Sequence, residues 1–175
     1  IVSCTGKTKF QLTASYSSQA YHMRWFAQNQ ISGVQIDNIS DTLTGFQVAG
    51  PNARKVLDAV SMNEIRSLEF FDVRQMLIGI VDCLVQRVSY TGGLGYEIYC
   101  KHTEQRHLWD ILWTAGQLYN MKPFGMRAMM SLRLDKFFGS WMSEFSPDYT
   151  AGETGLDRFI EWSKPDFIGR AAALF

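Results

Sequence analysis

The segment Ser89-Tyr90-Thr91-Gly92-Gly93-Leu94-Gly95-Tyr96-Glu97-Ile98-Tyr99 carries the residues of this sequence best suited to chemistry. A tight glycine turn lies between a phenol, Tyr90, and a carboxylate, Glu97, and both are expected at the ends of flanking strands. An ionised carboxylate has two acceptor oxygens. It can therefore take two parallel N–H bonds from an amidine-like edge, such as that of a pterin or guanine ring. Glycine lets backbone approach such a ring closely. The same glycines also read as an ordinary strand-to-strand turn that needs positive φ, and spacing leaves both readings open. The run is neither GxGxxG nor a phosphate-binding P-loop, since no Gly-Lys-Ser/Thr follows.

Other reactive side chains are dispersed. His102 and His107 are five residues apart, the wrong spacing for two ligands on one helical face, and His22 stands alone. Cys4, Cys83 and Cys100 form no CxxC pair, so they suggest neither a zinc site nor a disulfide framework. No metal site is expected. The methionines between Met121 and Met130, with Phe124, read as core packing rather than a cofactor box.

The elements that must position Tyr90 and Glu97 follow from periodicity. Thr8 to Ala14 alternates and predicts a half-buried strand. Ser17 or Ser18 can cap a helix to about Gln30 with Ala20, Met23 and Ala27 on one side, and Val34 to Ile39 reads as a short strand. Leu43 to Ala49 is a strand stopped by Gly50-Pro51. Ala53, Val56, Leu57 and Val60 then mark an amphipathic helix. Met76 to Tyr90 predicts two strands turning near Gly79 to Asp82, and Tyr96 to Cys100 predicts a third. Thr103 can cap a helix with a Leu108, Ile111, Leu112 and Ala115 stripe, and Gly125 to Phe138 is a further helix. The order predicts an α+β fold, with helices on one face of mainly antiparallel sheets. Residues 1–138 are expected as one lobe and 139–175 as an irregular segment ending in a helix.

Composition narrows the function classes. The 175 residues carry 17 basic and 17 acidic side chains, and this balance argues against a nucleic-acid binder. No apolar run reaches the ~20 residues of a membrane helix. The chain begins at Ile1 without Met and ends in Ala-Ala-Ala-Leu-Phe, so it reads as an internal piece of a longer protein.

The Ser89 to Tyr99 segment resembles the folate-binding aminomethyltransferase family of the glycine cleavage T-protein. Three further segments agree in order: Val48-Ala49-Gly50-Pro51-Asn52-Ala53, Ser131-Leu132-Arg133-Leu134-Asp135-Lys136 and Asp166-Phe167-Ile168-Gly169-Arg170-Ala171-Ala172. Leu134-Asp135-Lys136-Phe137-Phe138-Gly139-Ser140-Trp141 and Pro147-Asp148-Tyr149-Thr150 are similar to the branch of dimethylglycine and sarcosine dehydrogenases. Met129 stands where the T-protein has an arginine that helps hold the folate tail, which favours that branch. Ser15 replaces a T-protein asparagine.

The resemblance implies a ferredoxin-like lobe of the family fold and a tetrahydrofolate site. Glu97 would bind the pterin edge, Tyr90 would line the pocket, and Ser15 and Trp141 would be wall residues. No catalytic residue is assigned within the chain, because the family's aspartate near folate N5 would fall at or just before Ile1. FAD would belong to an upstream domain that oxidises a small N-methyl amine, and folate N5 would capture the one-carbon unit as methylenetetrahydrofolate. This chain would be inactive alone. The resemblance leaves open a stand-alone aminomethyltransferase and a non-catalytic folate-binding module. A bacterial cytoplasmic or mitochondrial matrix location is expected, with a homo-oligomer contact conceivable through Trp109 or Trp162.

Overall fold

The computed structural model describes residues 1–174, in two compact units. The first runs Ile1–Lys136 and the second begins at Phe137.

The first unit is built on two antiparallel sheets. Strand β1 (Val2–Gly6) pairs with β2 (Lys9–Leu12) as a two-stranded ribbon. A four-stranded sheet contains β3 (Leu43–Ala49), β4 (Val73–Ile78), β5 (Val81–Gln86) and β6 (Gly95–Lys101), in spatial order β3-β6-β5-β4. Helix α1 (Gln19–Gln28) precedes this sheet and α2 (Ala53–Asp58) joins β3 to β4. Helix α3 (Gln105–Gln117) follows β6, and α4 (Met126–Leu134) closes the unit. The α+β class with antiparallel sheets holds. No helix enters between β5 and β6, where the βαββαβ order of a ferredoxin-like lobe would place its second.

Burial explains the arrangement. Residues at alternate positions of β5 and β6 point to one face, and there Cys83, Val85, Tyr96, Ile98 and Cys100 are all 2% exposed or less. Ala53, Val56 and Leu57 of α2 and Leu108 and Leu112 of α3 cover that face. The i, i+3, i+4 stripes read from sequence are therefore the buried stripes. The hairpin β4–β5 turns through Gly79-Ile80 between the paired residues Ile78 and Val81. Gly79 has φ +60°, as a type II′ turn requires at its first central position.

Several local expectations are corrected. Val34 to Ile39 forms no strand. None of the residues of α1 is buried, so its Ala20, Met23 and Ala27 side is not a core face. Neither Ser18 nor Thr103 caps a helix through its side chain, because short 3₁₀ turns (Tyr16–Ser18 and His102–Glu104) lead into α1 and α3. The Ser18 hydroxyl instead donates to the Ser15 carbonyl at 2.7 Å. The methionine stripe of α4 is not core packing: Met126 is 67% exposed, while Arg133 on the same helix is buried. Met121 does pack against the core.

The second unit is mostly turns, with a 3₁₀ turn at Asp157–Phe159 and the short helix α5 (Arg170–Ala173). Glu153 caps the turn at Thr150, accepting bonds from the Thr150 backbone N–H at 2.8 Å and its hydroxyl at 2.9 Å. These bonds hold the Glu153 carboxyl below its ordinary range.

Core burial also sets thiol reactivity. Burial, then the neighbouring Cys100 and Asp82, push the Cys83 thiol up to about 12, and burial raises Cys100 too. The thiolate is the reactive form, so both should resist alkylation, whereas Cys4 is exposed. Iodoacetamide at neutral pH should add one group to the native protein by mass spectrometry and three after denaturation. Rapid addition of two or three groups to native protein would contradict this packing.

Candidate functional site

Strand β6 lies inside the sheet, between β3 and β5, and has to satisfy both of its faces. Tyr96, Ile98 and Cys100 enter the core, so strict alternation sends Glu97 and Tyr99 to the opposite face. The Tyr99 hydroxyl donates to Glu97 Oε2 at 2.6 Å. That ring lies over Gly45 of β3, where a Cβ would sit 2.9 Å from Tyr99 Cε1. Any larger residue at 45 would displace the phenol from the carboxylate.

Register places two amides beside Glu97. Gln47 of β3 pairs with Glu97 on one side, and Gln86 of β5 pairs with it on the other. Directly paired residues project to the same face, so the row Gln47, Glu97, Gln86 runs across three strands. Gln86 is 1% exposed, and neither its Oε1 nor its Nε2 has a hydrogen-bond partner among the described residues. Gln47 Oε1 is likewise buried and unpartnered.

The open end of the β1–β2 ribbon closes on this face. The Ile1 nitrogen donates to the Thr13 carbonyl at 2.8 Å, and Ile1 lies near Glu97. The Thr13 hydroxyl lies by the Tyr99 hydroxyl. Ser15, two residues on, is exposed, and its hydroxyl contacts that of Ser17 at 2.9 Å.

The glycine turn differs in detail from its sequence reading. Strand β5 ends at Gln86, so Tyr90 lies within the connecting loop rather than at a strand end, and Glu97 is the third residue of β6. Only Gly92 of the three turn glycines has positive φ, at +74°. The loop folds back on the strand: a Cβ on Gly95 would lie 2.6 Å from Ser89 Cβ. The Leu94 carbonyl accepts from Gly50 N–H at 2.8 Å, tying the turn to the end of β3. Glu97, Tyr90 and Ser15 thus belong to the first unit, and Trp141 belongs to the second.

A cleft of about 540 Å³ opens along the β3 edge, lined by Phe46, Gln47, Trp109, Trp113, Phe124 and Met129 among others. Trp109 and Trp113 stack with centroids 5.7 Å apart and planes 6° off parallel. None of Glu97, Tyr90, Ser15 and Trp141 lines the cleft, but Gln47, the neighbour of Glu97, does. The sequence reading missed Gln47 and Gln86. Their signal was available: each is the single amide of a mainly apolar strand, in Leu43–Ala49 and Val81–Gln86.

The Glu97–Tyr99 pair has a pH signature. Burial first, then the Glu97 charge, raises the Tyr99 phenol well above the ordinary tyrosine range. A folded-state pKa above the unfolded value gives stability that is whole below about pH 10 and is lost as pH rises past it. The urea unfolding midpoint of wild type should therefore fall more steeply above that pH than that of Tyr99→Phe. Parallel profiles for the two proteins would show that this phenol is not the source.

Comparison with known proteins matches residues 1–164 to the GCVT N-terminal domain. The chain is 35% identical over 170 residues to mitochondrial dimethylglycine dehydrogenase of Homo sapiens, covering 94% of this chain and 20% of that protein. It is 33% identical over 153 residues to an aminomethyltransferase of Caldanaerobacter subterraneus, covering 86% of this chain and 41% of that protein. The chain therefore spans a fifth to two fifths of these two relatives. With a match that takes in the polar row, the β1–β2 ribbon and the cleft alike, the chain belongs to the GCVT N-terminal domain family.

Proposed function

We propose that this chain is the tetrahydrofolate-binding portion of an N-methyl amine dehydrogenase of the dimethylglycine or sarcosine type. The observation that carries this reading is Glu97: it is half-buried and oriented through Oε2 by the Tyr99 hydroxyl. A carboxylate so held fits the N–H-rich edge of a pterin. Met129 supports the other end of the ligand. It occupies the position of the T-protein's tail-holding arginine and lines the cleft that begins at Gln47. The pterin edge would meet Glu97, and the aminobenzoyl tail would run past Trp113 and Phe124.

Bound tetrahydrofolate would supply the N5 nitrogen that accepts the one-carbon unit. The chain's own task is to orient the ring and keep water from the transferred carbon. Tyr90 and Ser15 would contribute walls. The amine would be oxidised in a flavin domain elsewhere in the parent protein. The parent would work in a bacterial cytoplasm or a mitochondrial matrix; the human relative is named mitochondrial. A stand-alone aminomethyltransferase is the second reading, favoured by the Caldanaerobacter relative. A dinucleotide-binding GxGxxG upstream in the parent gene would decide for the dehydrogenase.

Titration with 5-formyltetrahydrofolate tests the site. Glu97→Gln should weaken binding by about 1.5–3 kcal/mol, the worth of a hydrogen bond to a charged group. Equal affinity for wild type and variant would remove Glu97 from the site. Met129→Arg should strengthen binding of a polyglutamylated folate more than of the monoglutamate. An equal effect on both would place the tail elsewhere.

A further inference from the structure

Gln86 is the one amide side chain of the sheet that is almost wholly buried and has no partner for either polar atom among the described residues. Leaving buried polar atoms unmade costs free energy, so native proteins almost always pair them. Gln86 sits at a position where an apolar residue would pack without this cost, at the end of the run Val81-Asp82-Cys83-Leu84-Val85. Its register partner is Glu97, and Gln47 on the far side of Glu97 repeats the pattern with an unpartnered Oε1. Three adjacent strands therefore present amide, carboxylate and amide in one row. Paired residues on such a row have Cβ atoms about 4.5–5.5 Å apart, so the three side chains stand side by side on one face, within reach of one planar group.

We propose that Gln86 is a further ligand-binding residue, whose carboxamide bonds the heterocycle edge next to the one held by Glu97. This rests on the reading of Glu97 as the pterin-binding carboxylate. An acceptor-only carboxylate can take the donors of a 2-amino lactam ring. It cannot serve the adjacent ring carbonyl, which needs an N–H donor. The Gln86 amide supplies that donor. Glu97 is the more exposed of the two and meets the ligand first, while Gln86 reads the edge at the deeper end. Together they distinguish a 4-oxo ring from one with no acceptor there.

The test uses the 175-residue chain, 5-formyltetrahydrofolate and calorimetric titration. Wild type, Gln86→Leu, Gln86→Asn and Glu97→Gln are compared, with thermal unfolding midpoints as a check of folding. Gln86→Leu should bind about tenfold more weakly than wild type while unfolding at the same temperature or higher, since an unpaired amide has been removed. Gln86→Asn keeps the donor on a shorter arm and should recover part of the affinity. Unchanged affinity in Gln86→Leu, with Glu97→Gln weakened, overturns this inference and leaves the Glu97 reading standing. Unchanged affinity in Glu97→Gln, or no binding by wild type, overturns both. If Gln86→Leu unfolds, Gln86→Asn decides alone: affinity equal to wild type for a shortened arm overturns the contact.

Discussion

Everything at this site depends on the two-sidedness of β6. Strands β3 and β5 take both hydrogen-bonding edges of β6, so what its side chains meet is decided by which of the two sheet faces each one points to. Tyr96, Ile98 and Cys100 meet the core beneath α2 and α3. Glu97 and Tyr99 point to the other face and meet each other, through a 2.6 Å hydrogen bond. That bond orients a half-buried carboxylate and uses one of its acceptor sites, leaving Oε1 and the second lone pair of Oε2 able to accept. Burial that would be a liability for an unpaired acid becomes the means of aiming it.

The supporting parts follow from that bond. Gly45 is small because the Tyr99 ring occupies the space of its side chain. The β1–β2 ribbon lays Ile1 and Thr13 against the same face, near Glu97 and Tyr99. The glycine loop contributes less by its flexibility than by its closeness: Ser89 against Gly95, and Leu94 tied to Gly50, bring the end of β3 and the start of β6 together. The motif's glycines thus serve packing between strands at least as much as approach to a ligand.

The cleft and the polar row meet at Gln47. Of the polar row, Gln47 alone is among the residues that line the cleft, beside the stacked Trp109 and Trp113 and Phe124; Glu97 and Gln86 lie on the sheet face away from α2 and α3. Family membership makes a folate the ligand to test, and the chain spans 20% of the human dimethylglycine dehydrogenase that it matches.

The amino-acid sequence by itself determined the elements whose patterns are dense and local. The stripes Ala53, Val56, Leu57 and Leu108, Leu112, the hairpin turn at Gly79 and the alternation from Tyr96 to Cys100 all appear as read, because burial on one face is written at every second or every third to fourth residue. It also singled out Glu97, since a carboxylate in a short apolar strand after a glycine turn is conspicuous. It misjudged α1 and the methionines of α4, whose apolar residues find no core to enter. Only the tertiary structure decided that Glu97 pairs with Tyr99, that Gln47 and Gln86 flank it, and that the β1–β2 ribbon lies against it. Those facts are set by register between strands distant in sequence. A shift of one residue would turn every side chain to the other face, and no local pattern records which register is taken.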